Sequence, residues 1–151
     1  MLCLFMGQSC TGKSTVADKM MEVTHVEVFS GKDYLRLAKN ENEAWKLFYE
    51  KLANAALNKD SKESMVYIIT EKEHLDKVRT MKGLHKVKFT ASLDVIKSRF
   101  AQRMRGNLPL PIEKKLEKQF EEWKDEIGDM VVDTTEDINI EDVVRLIANF
   151  A

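Results

Sequence analysis

A chain of 151 residues with 44% apolar and 32% charged residues, six Gly and two Pro has the length of one domain, and its composition excludes a disordered or fibrous chain. Its formal net charge of −1 gives no overall attraction to nucleic acid or anionic membrane, so any basic site has to be local. No stretch reaches the roughly 18 apolar residues of a membrane span, and Cys3 and Cys10 supply neither a disulfide framework nor metal-ligand spacing, so a reducing, cytoplasmic location is expected.

In chain order, short apolar runs alternate with longer amphipathic ones. Strands are predicted at 2–6 (LCLFM), 26–29, 65–70 (MVYIIT), 86–90 and 130–133, and helices at about 13–23, 41–58, 72–80, 92–104, 113–126 and 140–149. In the second helix Ala44, Leu47, Phe48, Leu52, Ala55 and Ala56 share one face. This rhythm is that of an α/β fold around a five-stranded parallel sheet. The stretch RGNLPLP, 105–111, reads as a mobile loop. A single domain over 1–151 is expected, with a lid over about 97–114.

Between the first strand and the first helix stands GQSCTGKS, residues 7–14. Gly7, Gly12, Lys13 and Ser14 satisfy G-x-x-x-x-G-K-[ST] in the strand–loop–helix context that this pattern needs. Glycines let the backbone wrap with its N–H groups inward, and the helix after the loop adds the positive end of its dipole, so the loop suits a polyphosphate. Lys13 would bridge β- and γ-phosphate oxygens, and Ser14 would be a ligand of Mg²⁺. Gly7, Ser9, Cys10, Thr11, Gly12, Lys13, Ser14 and Thr15 form the candidate nucleotide-binding set, with Thr15 on the α-phosphate side and Cys10 as small filler. A GTPase arrangement fits poorly. The D-x-x-G match at Asp125–Gly128 comes too late in the chain, and NKDS at 58–61 misses the base-reading motif.

Two further stretches add chemistry. After the second strand comes GKDYLR. Loops at the carboxyl ends of parallel strands meet at the ligand crevice, so Asp33 is a candidate base or metal partner, and Arg36 a clamp for an anionic acceptor group. Asp33 is also an ordinary helix start. The second stretch, from Asp94 to Glu113, contains Lys97, Arg99, Arg103 and Arg105 with no acidic residue between its ends. Arg99 and Arg103 share a helix face next to a loop with Gly106, Pro109 and Pro111, which makes a basic lid able to stabilise a transferring phosphoryl group. Arg99 and Arg103 therefore join Lys13 and Asp33 as candidate catalytic residues, with Arg105 on the same lid.

These stretches together resemble small P-loop kinases of the nucleoside- and nucleotide-kinase-like group over nearly the whole chain. FMGQSCTGKST is similar to the group's Walker A segment, GKDYLR to its acceptor-side Asp and Arg, SRFAQRMRGNLPLP to its lid, and VVDTTEDI to the last strand and the turn near the adenine. The D-x-x-R of Asp33 and Arg36 is similar to that of polynucleotide 5′-hydroxyl kinases, where the aspartate is the general base and the arginine contacts the acceptor phosphate, and to that of adenylylsulfate kinases. The resemblance implies a P-loop NTPase-type three-layer α/β/α sandwich of strand order 2-3-1-4-5 with a short helical lid. It also implies ATP and Mg²⁺ as cofactors and a small acceptor, nucleoside or nucleotide, in a monomer or homodimer that does not engage membranes. One departure stands out: the third strand ends in Thr70 and Glu71, where many P-loop enzymes carry a metal-orienting aspartate, so Glu71 or Asp33 has to complete the metal site. Two alternatives remain open at this point, a 5′-hydroxyl kinase of nucleic acid ends and an ATP-binding protein without transferase activity. Trp45 and Tyr49 read as partial core, Leu116, Phe120 and Trp123 as a packing stripe, and His25, His74 and His85 as surface or strand-edge residues.

Overall fold

The computed structural model describes residues 1–58 and 63–150, so most of the NKDS stretch lies outside the described residues. Five strands, β1 (Leu2–Met6), β2 (Glu27–Ser30), β3 (Met65–Ile69), β4 (Leu84–Thr90) and β5 (Met130–Asp133), form one sheet in the order β2-β3-β1-β4-β5. Every neighbouring pair is parallel, with Leu2 opposite Met65 and Leu84, and Val87 opposite Met130. The helices are α1 (Lys13–Thr24), α2 (Glu41–Leu57), α3 (Lys72–Val78), α4 (Leu93–Arg103), α5 (Leu110–Trp123) and α6 (Ile140–Phe150). The predicted strand order and α/β class are those observed.

Side chains alternate across β1, which is buried along its whole length at the centre of the sheet. Leu2, Leu4 and Met6 pack with Ala44, Phe48 and Leu52 of α2, Leu75 and Val78 of α3 and Trp123 of α5. Cys3 and Phe5 pack on the other side with Val16, Ala17 and Met20 of α1 and Val144 and Ile147 of α6. A strand covered on both faces has no polar face, which is why LCLFM reads as a continuous apolar run. A third cluster joins Cys10 of the loop after β1 to Ala91, Ile96 of α4 and Leu116 of α5. Leu116 and Trp123 are buried and Phe120 is packed beside them, as the helical stripe predicts.

The elements end at different residues from those predicted in three informative places. Strand β4 begins at Leu84, two residues early, because its first residues pair with β1 alone. Asp33–Leu37 forms a short 3-10 helix between β2 and α2. The stretch expected as a mobile loop is a bonded turn: Gly106 N–H donates to Ala101 O at 2.7 Å and Arg105 N–H to Gln102 O at 3.2 Å. Helix α5 then starts at Leu110, three residues before the predicted boundary, with Pro109 at its cap and Pro111 in the first turn. A proline there loses no helical hydrogen bond, since first-turn N–H groups have no intrahelical acceptor. His74 is buried in α3 rather than at the surface. Among the described residues no helix is long and apolar enough to cross a membrane.

Ladder bonds extend past the strand ends and set the height of the loops beyond them. Gly7 N–H donates to Ile69 O at 3.1 Å, Gly31 N–H to Ile68 O at 3.0 Å and Thr134 N–H to Thr90 O at 2.8 Å. Residues 7, 31, 70, 91 and 134 therefore rise together at the carboxyl edge. At this edge Gly7 has φ 148°, and a Cβ added to it would lie 2.2 Å from the Phe89 carbonyl oxygen. Beyond α5, Glu126 accepts from Arg79 at 2.7 and 3.0 Å and lies 3.6 Å from Lys72. The Arg79 hydrogen bonds hold the Glu126 carboxyl down to about 2.

Gly7→Ala is expected to cost about 3 kcal/mol, since backbone meets backbone and neither can yield cheaply; an unchanged melting temperature would contradict the close approach. Glu126 has a depressed folded pKa, so its contribution is present above the ordinary carboxyl value of about 4.3 and is lost as pH falls toward about 2. Glu126→Gln is expected to lower Tm by a few degrees at pH 7, with the gap to wild type closing by pH 2. A gap that stays constant across this range would rule out the ion pair as its source.

Candidate active site

The loop from Gly7 to Gly12 is shaped by what binds its carbonyl oxygens. Lys13 Nζ donates to Gly7 O at 2.7 Å and to Gln8 O at 2.6 Å. Thr11 Oγ1 donates to Gln8 O at 2.9 Å. From α4, Arg99 Nη1 donates to Cys10 O at 2.9 Å, and from the turn after β5, Thr134 Oγ1 donates to Thr11 O at 2.9 Å. With those oxygens engaged, the N–H groups of Cys10, Thr11, Gly12, Lys13 and Ser14 find no acceptor among the described residues. First-turn amides of a helix lack one by construction, and here Gly12, at φ 92°, caps α1. Ser9 to Thr15 line a cavity of ≈140 Å³ together with Ser30, Ile68, Thr70 and Arg103. Unpartnered amides around a cavity, a helix dipole and an ammonium are complementary to an anion.

Lys13 is only 5% exposed. Burial pulls its ammonium down to about 7, and the positive charge of Arg103 pushes the same way. Ser14 and Thr15 are exposed at the start of α1, so the Ser14 hydroxyl is free to meet a cation beside the cavity.

Thr134 and Arg99 form the joint that holds the loop from behind. Arg99 Nη1 also donates to Thr134 Oγ1 at 3.0 Å, and Nη2 donates to Thr134 O. Thr134 Cγ2 stands 3.3 Å from the position of a Gly12 Cβ. Sequence reasoning misses Thr134, which follows directly on the last strand and is one more threonine in DTTED. Lys97, counted with the basic lid, is paired with Glu113 at 3.1 Å and Glu117 at 2.8 Å on α5. Arg103 lines the loop cavity, while Arg105 sits exposed in the turn at φ 60°.

A second cavity of ≈260 Å³ shares Cys10, Gly12, Thr15 and Arg103 with the first. Its other walls are Val16, Ile138 and Ile140 together with Arg99, Thr134, Glu136 and Asp137, a slot of mixed apolar and charged lining. A larger cavity of ≈370 Å³ lies at the amino ends of β2 and β3, beside His25, Glu27 and Lys51, away from the loop's donors. Its Glu27 and Lys51 already pair with each other at 2.8 Å.

On the β2 side, Asp33 Oδ2 accepts from Ser30 N–H at 2.9 Å, and Ser30 lines the loop cavity. The carboxylate is exposed, with its second oxygen left for another partner. Arg36 is exposed, its guanidinium 4.3 Å over the Phe29 ring. Glu71 is exposed at the cap of α3 and makes no side-chain cap bond. Trp45 packs edge-on against Tyr34 with centroids 5.1 Å apart, as partial core. Among the described residues no three His, Cys, Asp or Glu side chains converge on a metal position, so a cation at Ser14 would have to take most of its ligands from a bound polyphosphate and from water.

No protein-family model and no curated protein sequence matches this chain. Solved structures do. An uncharacterized protein from Eubacterium ventriosum aligns with TM-score 0.65 at 15% identity, covering 99% of this chain and 97% of that one. A gluconokinase from Sinorhizobium meliloti aligns with TM-score 0.60 at 20% identity over 95% and 86%. The shikimate kinase from Bacteroides thetaiotaomicron aligns with TM-score 0.61 at 10% identity over 99% and 97%. At such identities the likeness is one of fold: the chain shares the α/β fold of the gluconokinase and the shikimate kinase.

Proposed function

We propose that this chain is a Mg²⁺- and ATP-dependent phosphotransferase whose acceptor is a small hydroxyl-bearing molecule, a nucleoside or nucleotide fitting best. The observation that carries the reading is the loop at residues 7–14, whose carbonyl oxygens are held by Lys13, Thr11, Arg99 and Thr134 while its amides line a cavity. The fold shared with a gluconokinase and a shikimate kinase supports transfer to a small molecule. In this reading the loop amides and Lys13 bind the β- and γ-phosphates, Ser14 contributes one oxygen to Mg²⁺, and the slot beside Arg99 receives the base. Bound Mg²⁺ neutralises charge on the phosphate oxygens.

Each remaining role falls to a side chain already placed. Asp33, oriented through Ser30 N–H, accepts the proton of the acceptor hydroxyl with its free oxygen. Arg36 meets an anionic group on the acceptor. Arg103, which lines both cavities, offers its guanidinium to the transferring group, whereas Arg99 is committed to Cys10 and Thr134 and acts by holding the loop. The domain over 1–151 closes its lid, about 97–114, by moving Arg103 and Arg105 with α4 and the turn. A second reading, nucleotide binding without transfer, draws on Glu71 standing where an aspartate is usual.

The deciding experiment is calorimetry with MgATP followed by a product assay over nucleosides, nucleotides, small hydroxy acids and oligonucleotides. Binding with a phosphorylated product is expected; binding without any product favours the second reading. Lys13→Ala should lower turnover by about 100-fold or more with the fold retained by circular dichroism. Asp33→Asn should lower kcat about 100-fold while changing the ATP KM less than about threefold; equal losses in both would make it a metal or structural residue.

Lys13 gives the pH dependence. Phosphates favour its charged form, which the protein alone holds fully only below about pH 7. MgATP affinity is therefore expected to decline above pH 7, by up to about tenfold per unit, with proton uptake on binding at pH 8. No uptake across buffers of different ionisation enthalpy would show that Lys13 is already charged there.

A further inference from the structure

Helix α5 carries a polar residue on its buried stripe. Leu116, Gln119 and Trp123 are its buried positions, three and four residues apart on one face. Gln119 Oε1 accepts from Ser9 N–H at 3.4 Å, a contact between residues 110 apart in sequence. The Ser9 N–H and the Gln8 C=O belong to one planar peptide group, so one cannot turn without the other. The Gln8 oxygen accepts from Lys13 Nζ at 2.6 Å and from Thr11 Oγ1 at 2.9 Å. A single rigid amide therefore connects α5 at one end with the lysine ammonium at the other.

We propose that Gln119 is a positioning residue for Lys13, acting through the Gln8–Ser9 peptide. The peptide turns about ψ of Gln8 and φ of Ser9, the two soft torsions on either side of it, and a partner for its N–H from outside the loop restrains that rotation. Helix α5 supplies it at a fixed reach. One turn beyond Gln119, Trp123 Nε1–H donates to Thr70 O at 2.9 Å, which sets the depth of the helix, and one turn before it Leu116 packs with Cys10. The contact at 3.4 Å is long, so it biases the peptide rather than locking it. Turning the peptide would carry the Gln8 oxygen away from Lys13 Nζ and leave the ammonium held by Gly7 O alone among its two carbonyl partners. The buried glutamine of the helix after the lid turn thus bears on the placement of the phosphate-binding lysine without touching it.

The test uses the full chain with Gln119→Met, which keeps the length and removes the acceptor, and Gln119→Leu as a second variant. In the protein without nucleotide, the Ser9 amide is expected to exchange about tenfold faster in the variants, and the Lys13 ε-carbon resonance to move. With MgATP, affinity is expected to fall about fivefold to tenfold, and kcat to fall with it, since Lys13 serves both binding and transfer. An unmoved Lys13 resonance overturns the proposal, and so does a fall in Tm with MgATP affinity unchanged, which would mark Gln119 as a structural acceptor only. Should both variants fail to fold, the wild type decides: a Ser9 amide exchanging as fast as an unprotected one overturns the proposal, and a protected one supports it. The affinity arm rests on the phosphotransferase reading. If wild type binds no MgATP, that reading fails, and the Lys13 resonance still decides the role of Gln119.

Discussion

Three side chains from three different elements reach carbonyl oxygens of the loop at residues 7–12, and together they hold a stretch of backbone that has little reason to keep its shape alone. Lys13 reaches from α1, Arg99 from α4, and Thr134 from beyond β5. A carbonyl with a donor has a fixed peptide plane, and a fixed plane fixes the N–H on its other side. The amide cradle arises from this constraint, since the main-chain groups left without partners are nearly all donors, gathered at the positive end of α1. The sheet serves the same constraint by delivering Gly7, Gly31 and Thr134 to one height through parallel ladder bonds.

Electrostatics at the cradle run against the average of the chain. The formal net charge is −1, yet Lys13, Arg99 and Arg103 lie around one loop, and burial combined with the Arg103 charge weakens the proton affinity of Lys13. Such a group of like charges is unfavourable unless an anion joins it. Of the four basic lid residues, Lys97 is neutralised on α5 and Arg99 is spent on the loop. That division leaves Arg103, which lines the loop cavity, and the exposed Arg105 without a carboxylate partner among the described residues.

Much of this is readable from local chemistry. LCLFM and MVYII are strands covered on both faces, and nothing but apolar residues satisfies such positions. The glycines and lysine of GQSCTGKS declare themselves because the loop needs those residues at those spacings. Resemblance supplies the strand order, which local periodicity leaves open. What stays hidden depends on contacts across the fold: Thr134 meets Thr11 over 123 residues and Gln119 meets Ser9 over 110, and neither spacing leaves a pattern in the chain. A local trace does exist for Gln119, a glutamine on the stripe between Leu116 and Trp123. The turn at 105–109 escapes for a different reason: Pro109 and Pro111 count as loop formers in sequence, although the cap and first turn of a helix accept proline.

Helix α5 ties the basic stretch of α4 to the core, and its two ends have different attachments. At the carboxyl end, Trp123 is hydrogen-bonded to Thr70, and Glu126 beyond it is clamped by Arg79 and Lys72 to α3. In the amino-terminal half, Glu113 and Glu117 pair with Lys97 of α4, and Leu116 packs with Ile96 of α4 and with Cys10 of the loop. A helix anchored to two elements on either side of Gln119 holds that residue at a fixed distance from the sheet edge. The contact between Gln119 and Ser9 N–H, at 3.4 Å, therefore follows from packing along the whole helix rather than from any pattern near residue 119.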